Sequence, residues 1–246
     1  MIGKTIADRY VVRRALGSGA FGTIYECDDR TAGGRVALKA LGFSAPSSDD
    51  PSTYDRQEEL VARFRREARA ASKIKSPHVV RLLDEGESPE TGLFMVLELL
   101  EGEDFFHHLA RGPIEPKTAA EWARQAAIGL VDAHAAGVVH RDLKPANLFL
   151  VKNGEGAERG PEVLKIVDFG VSKISGDPHA KDAITRAGTT MGTPQYMAPE
   201  QISGGVMDHR IDVWALGAVL YEMLAGKPAY ALLDSMEKTF ITIATT

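Results

Sequence analysis

The sequence predicts an α+β chain in two parts of different character, strand-rich first and helical afterwards. Three observations carry this. β-branched and aromatic runs punctuated by glycine fill the first forty residues, apolar residues recur at helical spacing from Thr118 onward, and no internal repeat interrupts the order. With 246 residues, 44% hydrophobic and 26% charged, the chain can bury a full core as one large domain or two lobes.

Taken in order, residues 10–16, 23–28 and 35–40 read as strands, with Thr31-Ala32-Gly33-Gly34 as the tight turn between the second and third. Residues 44–55 combine Pro, Ser and Asp and mark a solvated loop. A helix follows, because Leu60, Phe64, Ala68, Ala71 and Ile74 share one face, with Lys73 and Lys75 near its end and Pro77 beyond. Two more strands are predicted at 79–84 and 93–98, then helices over 118–136 and 210–225. The boundary between the two parts falls near residues 98–102.

Composition narrows the function classes. A net charge of −5 gives no overall attraction to nucleic acid or an anionic membrane. The single cysteine, Cys27, excludes an internal disulfide and reads as a small strand residue rather than a reactive thiol. The first ten residues lack the apolar core of a signal peptide, and the best apolar run, 93–100, is short and broken by Glu98. The stretch therefore reads as cytoplasmic, with a membrane segment beyond residue 246 left open.

Gly17-Ser18-Gly19-Ala20-Phe21-Gly22 matches G-x-G-x-x-G, which dinucleotide-binding folds also use. A dinucleotide site starts a helix inside the glycine run, so that the helix N-terminus meets the pyrophosphate. Here Thr23-Ile24-Tyr25-Glu26-Cys27 reads as a strand, and a glycine loop between strands can fold over phosphates as a flap. Val36-Ala37-Leu38-Lys39 puts an ammonium on the next strand. His140-Arg141-Asp142-Leu143-Lys144-Pro145-Ala146-Asn147 sets a carboxylate, an ammonium and an amide within one short loop. Phosphoryl transfer to a hydroxyl needs those three: a proton acceptor, a charge on the migrating group and a metal ligand. Asp168-Phe169-Gly170 follows the apolar Leu164-Lys165-Ile166-Val167 and offers a second hard oxygen ligand of the kind Mg²⁺ takes.

With Met197-Ala198-Pro199-Glu200 and Asp212-Val213-Trp214-Ala215-Leu216-Gly217, these motifs stand in the order of one family. The sequence resembles the eukaryotic-type (Hanks-type) serine/threonine protein kinases, an architecture that many bacterial kinases share. The resemblance implies a bilobal fold: a small, mainly antiparallel β N-lobe with one major helix (10–98), a hinge (99–103) and a larger helical C-lobe (104–246). It implies ATP and Mg²⁺ as cofactors, protein substrates with Ser or Thr acceptors, no nucleic acid, and dimers as a route to trans-autophosphorylation.

The roles it implies are specific. Lys39 holds the α- and β-phosphates and pairs with a helix glutamate, Glu67, with Glu58 and Glu59 as fallbacks. Asp142 takes the acceptor proton, Lys144 stabilises the γ-phosphate, and Asn147 and Asp168 bind Mg²⁺. The loop Gly17, Ser18, Gly19, Ala20, Phe21 and Gly22 covers the phosphates. Leu97 is the gatekeeper, Glu98 and Leu100 offer backbone to adenine, and Leu16, Ile24, Ala37 and Phe149 sandwich the ring. Asp104 reaches the ribose or is simply an exposed acid after a turn.

Residues 171–196 resemble an activation loop, with Thr185, Thr189 and Thr190 as candidate phosphate acceptors, Arg141 as the phosphate partner and Thr193 shaping the substrate groove. His107 and His108 read as an exposed pair rather than a metal site, His140 as packing on Phe169, and His134 and Trp214 as core. The resemblance also implies further helices after the Asp212 segment and a late arginine for Glu200. The expectation is thus a domain short at its C-terminal end and less stable than a complete one. Residues 152–161 form a longer hairpin than the family needs. Retention of Lys39, Asp142, Asn147 and Asp168 argues against a catalytically dead relative, and the L-K-P and A-P-E runs argue against a small-molecule kinase.

Overall fold

The computed structural model describes residues 1–19, 22–41, 61–62, 64–66, 68–152, 162–169 and 194–245. It divides into two compact units, one built on Met1–Lys75 and Val80–Leu100, the other on Ser76–Val79 and the described residues after Leu100.

The first unit is a six-stranded antiparallel sheet of β1 (Thr5–Ile6), β2 (Tyr10–Gly19), β3 (Gly22–Asp29), β4 (Arg35–Ala40), β5 (Leu82–Ser88) and β6 (Gly92–Glu98), in the order β1-β2-β3-β4-β6-β5. Side chains alternate between its faces. Val36, Leu38 and Ala40 join Ile6, Tyr10, Val12, Cys27, Phe94 and Val96 in one cluster. Leu41, Leu93 and Met95 join Phe64 and Ala68 on the other face, where the backbone is helical at 61–62, 64–66 and 68–71. Ala37 and Lys39 occupy the intervening β4 positions and so share the helix-covered face. Cys27 is fully buried, and burial pushes its thiol up to about 11, which leaves it unreactive.

Two departures from expectation have physical causes. β2 runs on through Gly19 because Ser18 pairs with Thr23 and Gly19 with Gly22. The strand expected at 79–84 begins at Leu82 and continues through the polar Asp84, Glu85, Gly86 and Glu87, since pairing with β6 sets its register. Val79 instead bridges Ile166 in the second unit, and His78 O accepts from Ile166 N at 2.9 Å.

The second unit centres on α2 (Pro116–Ala135) and α4 (Arg210–Ala225), packed on each other and, through α2, on the sheet β7 (Gly102–Asp104), β8 (Leu148–Val151), β9 (Val163–Ile166). The shorter helices are α1 (Phe105–Leu109), α3 (Pro199–Ser203) and α5 (Met236–Thr245). Proline at the first position of α2 and Glu115, which accepts from Thr118 N at 2.9 Å, start that helix. Gly129 lets α2 approach residue 78: a Cβ there would stand 2.8 Å from His78 O. Trp122, Ala126, Leu130 and Ala133 of α2 and Ile211, Ala215, Val219 and Met223 of α4 are buried. Asp104, at the end of β7, accepts from His107 N at 3.0 Å and so caps α1.

Candidate active site

The loop that carries Asp142, Lys144 and Asn147 lies between α2 and β8, and one buried carboxylate holds its backbone. Asp212, 1% exposed in the first turn of α4, accepts from His140 N and His134 Nε2 through Oδ2 and from Arg141 N through Oδ1, each at 2.8 Å. A carboxylate so deep in an apolar helix is tolerable only when hydrogen-bonded, and here two of the three donors are the loop's own backbone. The grip offsets backbone strain: Arg141 has φ 68, a left-handed conformation that costs a non-glycine residue on the order of 1–2 kcal/mol. Asp168, with φ 64, has the same geometry.

His140 is fully buried and ties the two candidate carboxylate positions together. Its Nδ1 faces Asp142 N at 3.3 Å and its Nε2 faces Val167 O at 2.9 Å. Because Asp142 N can only donate, Nδ1 accepts, and the ring hydrogen lies on Nε2, donated to Val167 O. The ring packs edge-on against Phe169 at 4.8 Å, the contact expected from sequence.

Within the loop, Lys144 Nζ lies 2.9 Å from Asp142 Oδ2, and Asn147 Nδ2 donates to Asp142 O at 2.7 Å and to Asp142 Oδ2 at 3.3 Å. Asp142 and Lys144 are both partly open to solvent, and Asn147 is buried. Asn147 O accepts from Val167 N at 2.9 Å, which fixes Asn147 beside the residue preceding Asp168. Since the Asn147 amide nitrogen is committed to Asp142, its Oδ1 is the atom left for a cation. That oxygen and the Asp168 carboxylate are hard donors that fit Mg²⁺. Among the described residues no three His, Cys, Asp or Glu side chains are arranged to hold a metal ion, so a bound Mg²⁺ would complete its shell with water and phosphate oxygens.

The other predicted residues fall as follows. In the first unit, Ile24 pairs with Lys39 and Lys39 with Met95, while Ala37 pairs with Leu97. Cross-strand partners share a face, so Ile24, Ala37, Lys39 and Leu97 stand together on one side of the sheet. Lys39 is 4% exposed. Leu16 sits at an irregularity between Ala15 and Gly17 and is 40% exposed. Gly17, Ser18 and Gly19 end β2 and Gly22 opens β3; at Gly22, with φ 119, a Cβ would stand 1.8 Å from Ala40 O. The Glu98 N–H is committed to Arg81 O at 3.0 Å, and Leu100 is partly buried two residues on. In the second unit Phe149 is partly buried on β8, opposite Asp104. Ala20, Phe21, Glu58, Glu59, Glu67, Gly170, Thr185, Thr189, Thr190, Thr193 and residues 153–161 lie outside the described residues.

Three readings need correction. His134 is not core: it is partly exposed and serves as a partner of Asp212. Trp214 is only partly buried, stacks on Tyr230 at 6.2 Å, and leaves its Nε1 without a partner among the described residues. His108 is not an exposed histidine, since it stacks on Phe105 and meets Trp122 edge-on. Glu200, for which the resemblance implies a late arginine, is partly exposed, and Arg210 lies within its electrostatic reach. Sequence reasoning missed the role of Asp212. The signal was present, since an acid directly after Ile211 and before Val213-Trp214-Ala215-Leu216 in an apolar helix must be paired.

A carboxylate, an ammonium and an amide brought together on one short loop of the second unit suit phosphoryl transfer to a hydroxyl. The protein kinase domain family matches residues 10–245, and the chain belongs to that family. It is 37% identical over 226 residues to the serine/threonine-protein kinase pkn3 of Myxococcus xanthus, covering 92% of this chain and 39% of that protein. It is 36% identical over 237 residues to the serine/threonine-protein kinase PknA of Mycobacterium tuberculosis, covering 94% and 50%. To the serine/threonine-protein kinase PrkC of Bacillus subtilis it is 32% identical over 228 residues, covering 92% and 32%. The chain thus spans half or less of the length of each of these relatives.

Proposed function

We propose that this chain is the catalytic domain of an ATP- and Mg²⁺-dependent serine/threonine protein kinase, with residues 10–98 as N-lobe, 99–103 as hinge and 104–246 as C-lobe. The observation that carries the reading is the close grouping of Asp142, Lys144 and Asn147 on a loop whose backbone is gripped by Asp212. Asp142 orients the acceptor hydroxyl and takes its proton as the hydroxyl oxygen bonds to the γ-phosphorus. The bond to the β–γ bridging oxygen breaks, and ADP leaves with the electron pair. Lys144, drawn to Asp142 Oδ2, offers its charge to the migrating phosphoryl group. Lys39 holds the α- and β-phosphates and pairs with Glu67. Leu16, Ile24, Ala37 and Phe149 enclose adenine, Glu98 and Leu100 meet its edge, and Asp104 meets the ribose. The loop 17–22 covers the phosphates. Asn147 and Asp168 hold Mg²⁺, which neutralises charge on the phosphates when bound.

Arg141 is exposed beside Asp142 and carries the proposal that phosphate on Thr185, Thr189 or Thr190 orders the loop. One copy phosphorylating another in a transient dimer would supply that phosphate. No helix of the described residues is long and apolar enough to cross a membrane, and the proposed setting is the cytoplasm, where ATP is supplied. Labelled ATP with Mg²⁺, the chain and a generic serine- and threonine-rich protein test the reading. Label on serine and threonine is expected; label confined to tyrosine, or to a small molecule, would contradict it.

A further inference from the structure

We infer that Gln201 is a positioning residue that pins the peptide immediately before Asp142, an inference that rests on the kinase reading of this site. Gln201 follows the Ala198-Pro199-Glu200 run on α3. Its Oε1 accepts from Ala198 N at 2.9 Å, which closes the start of its own helix. Its Nε2 leaves the helix and donates to Arg141 O at 3.0 Å, across sixty residues of sequence.

Arg141 is the strained residue of the loop, and both of its backbone groups are held from outside: the N–H by Asp212 of α4, the carbonyl by Gln201 of α3. Turning the Arg141–Asp142 peptide would swing the Asp142 carboxylate away from Lys144 and Asn147, which lie 2.9 and 3.3 Å from its Oδ2. Asp212 alone cannot prevent this turn, because it grips the peptides on the far side of the Arg141 Cα, and the turning peptide's own N–H, on Asp142, has only the longer 3.3 Å bond to His140 Nδ1. Gln201 also lines the small cleft that holds Asp142, together with Tyr196 and Met197.

An amide suits this position because it presents one acceptor and one donor on the same end, used here in opposite directions. A carboxylate would set lone pairs against Arg141 O, and a thioether of the same length would satisfy neither partner. Since Gln201 binds Ala198 at the same time, the placement of the 194–198 segment is conveyed to the carboxylate that takes the proton.

The test compares Gln201→Glu and Gln201→Met with the unaltered chain in steady-state transfer to a serine- and threonine-rich protein, with ATP varied. Thermal midpoint and the fraction of chain that binds nucleotide are measured beside it. The expected result is a fall in kcat of roughly tenfold in both variants, with KM for ATP changed by less than about twofold and the binding fraction intact. A kcat within about twofold of the unaltered chain in either variant overturns the inference. So does a fall in kcat matched by an equal loss of nucleotide-binding chain, or one accompanied by an equal rise in the KM for ATP. If the unaltered chain transfers no phosphate, the kinase reading itself fails, and this inference fails with it.

Discussion

Replacing Asp212 with asparagine should both loosen the fold and disable the loop. The carboxylate accepts three hydrogen bonds, two at Oδ2 and one at Oδ1. Asparagine can keep its oxygen at the Oδ2 position, but its NH₂ then faces the Arg141 N–H, donor against donor. One buried N–H left unpaired costs about 1–3 kcal/mol. The two surviving bonds lose their charge assistance and so about half their strength, which brings the total to roughly 3–6 kcal/mol. For a chain of this size that corresponds to a drop in thermal midpoint of about 6–24 °C. The loss falls where Arg141 is strained, so kcat for phosphate transfer should decline more than stability alone accounts for. Calorimetry and steady-state transfer on the Asp212→Asn variant are the assays. A midpoint within about 2 °C of the unaltered chain together with an unchanged kcat would refute the idea that Asp212 holds the loop.

Further outcomes concern charge in each unit. Tyr196 donates to Glu222 Oε2 at 2.5 Å, and burial raises the Glu222 carboxyl above its ordinary 4.5. A raised carboxyl binds its proton more tightly in the native state, so its contribution to stability is full below 4.5 and is lost as pH rises through the native value. Glu222→Gln keeps an acceptor for Tyr196 and should flatten that part of the stability–pH curve, leaving the variant at least as stable near neutrality; an unchanged slope would count against this. In the first unit Arg9 grips Asp29 through Nε and Nη2 at 2.8 and 2.7 Å and reaches Asp84 through Nη1 at 2.8 Å. The Arg9 guanidinium holds the Asp29 carboxyl well below the usual range, so that contribution is present above 3.8 and is lost as pH falls below it. Arg9→Ala should lower the thermal midpoint at neutral pH by several degrees, with the deficit shrinking in acid; a deficit that grows as pH falls would contradict the pairing.

The fold class was legible because β2 to β4 and β6 are short β-branched, aromatic and apolar runs closed by glycine and polar turns, while the apolar stretches of α2 and α4 run too long for strands. α4, apolar on all sides, is found where its long apolar run puts it, at Arg210–Ala225. The loop chemistry was legible too, because Asp142, Lys144 and Asn147 lie within six residues of one another and meet through local bonds. What was not legible is set by distant partners. Val79 has strand-like neighbours, yet its backbone is claimed by Ile166, and β5 takes its place from a stretch of acids and glycine. The five-residue helices α1 and α3 are too short for any period to show. His134 looks like a helix-interior residue until the partner 78 positions away, Asp212, is in place. Gln201 reaches Arg141 across a similar distance, and nothing in the A-P-E run announces it.

The central claim is that Asp142 is the carboxylate of a phosphotransfer site. It is tested most directly by following transfer from labelled ATP and Mg²⁺ in the unaltered chain and in Asp142→Asn, with ATP binding measured in both. The account predicts transfer to serine and threonine that falls by about 10²–10⁴ in the variant while ATP still binds. Equal transfer by the two chains would contradict it.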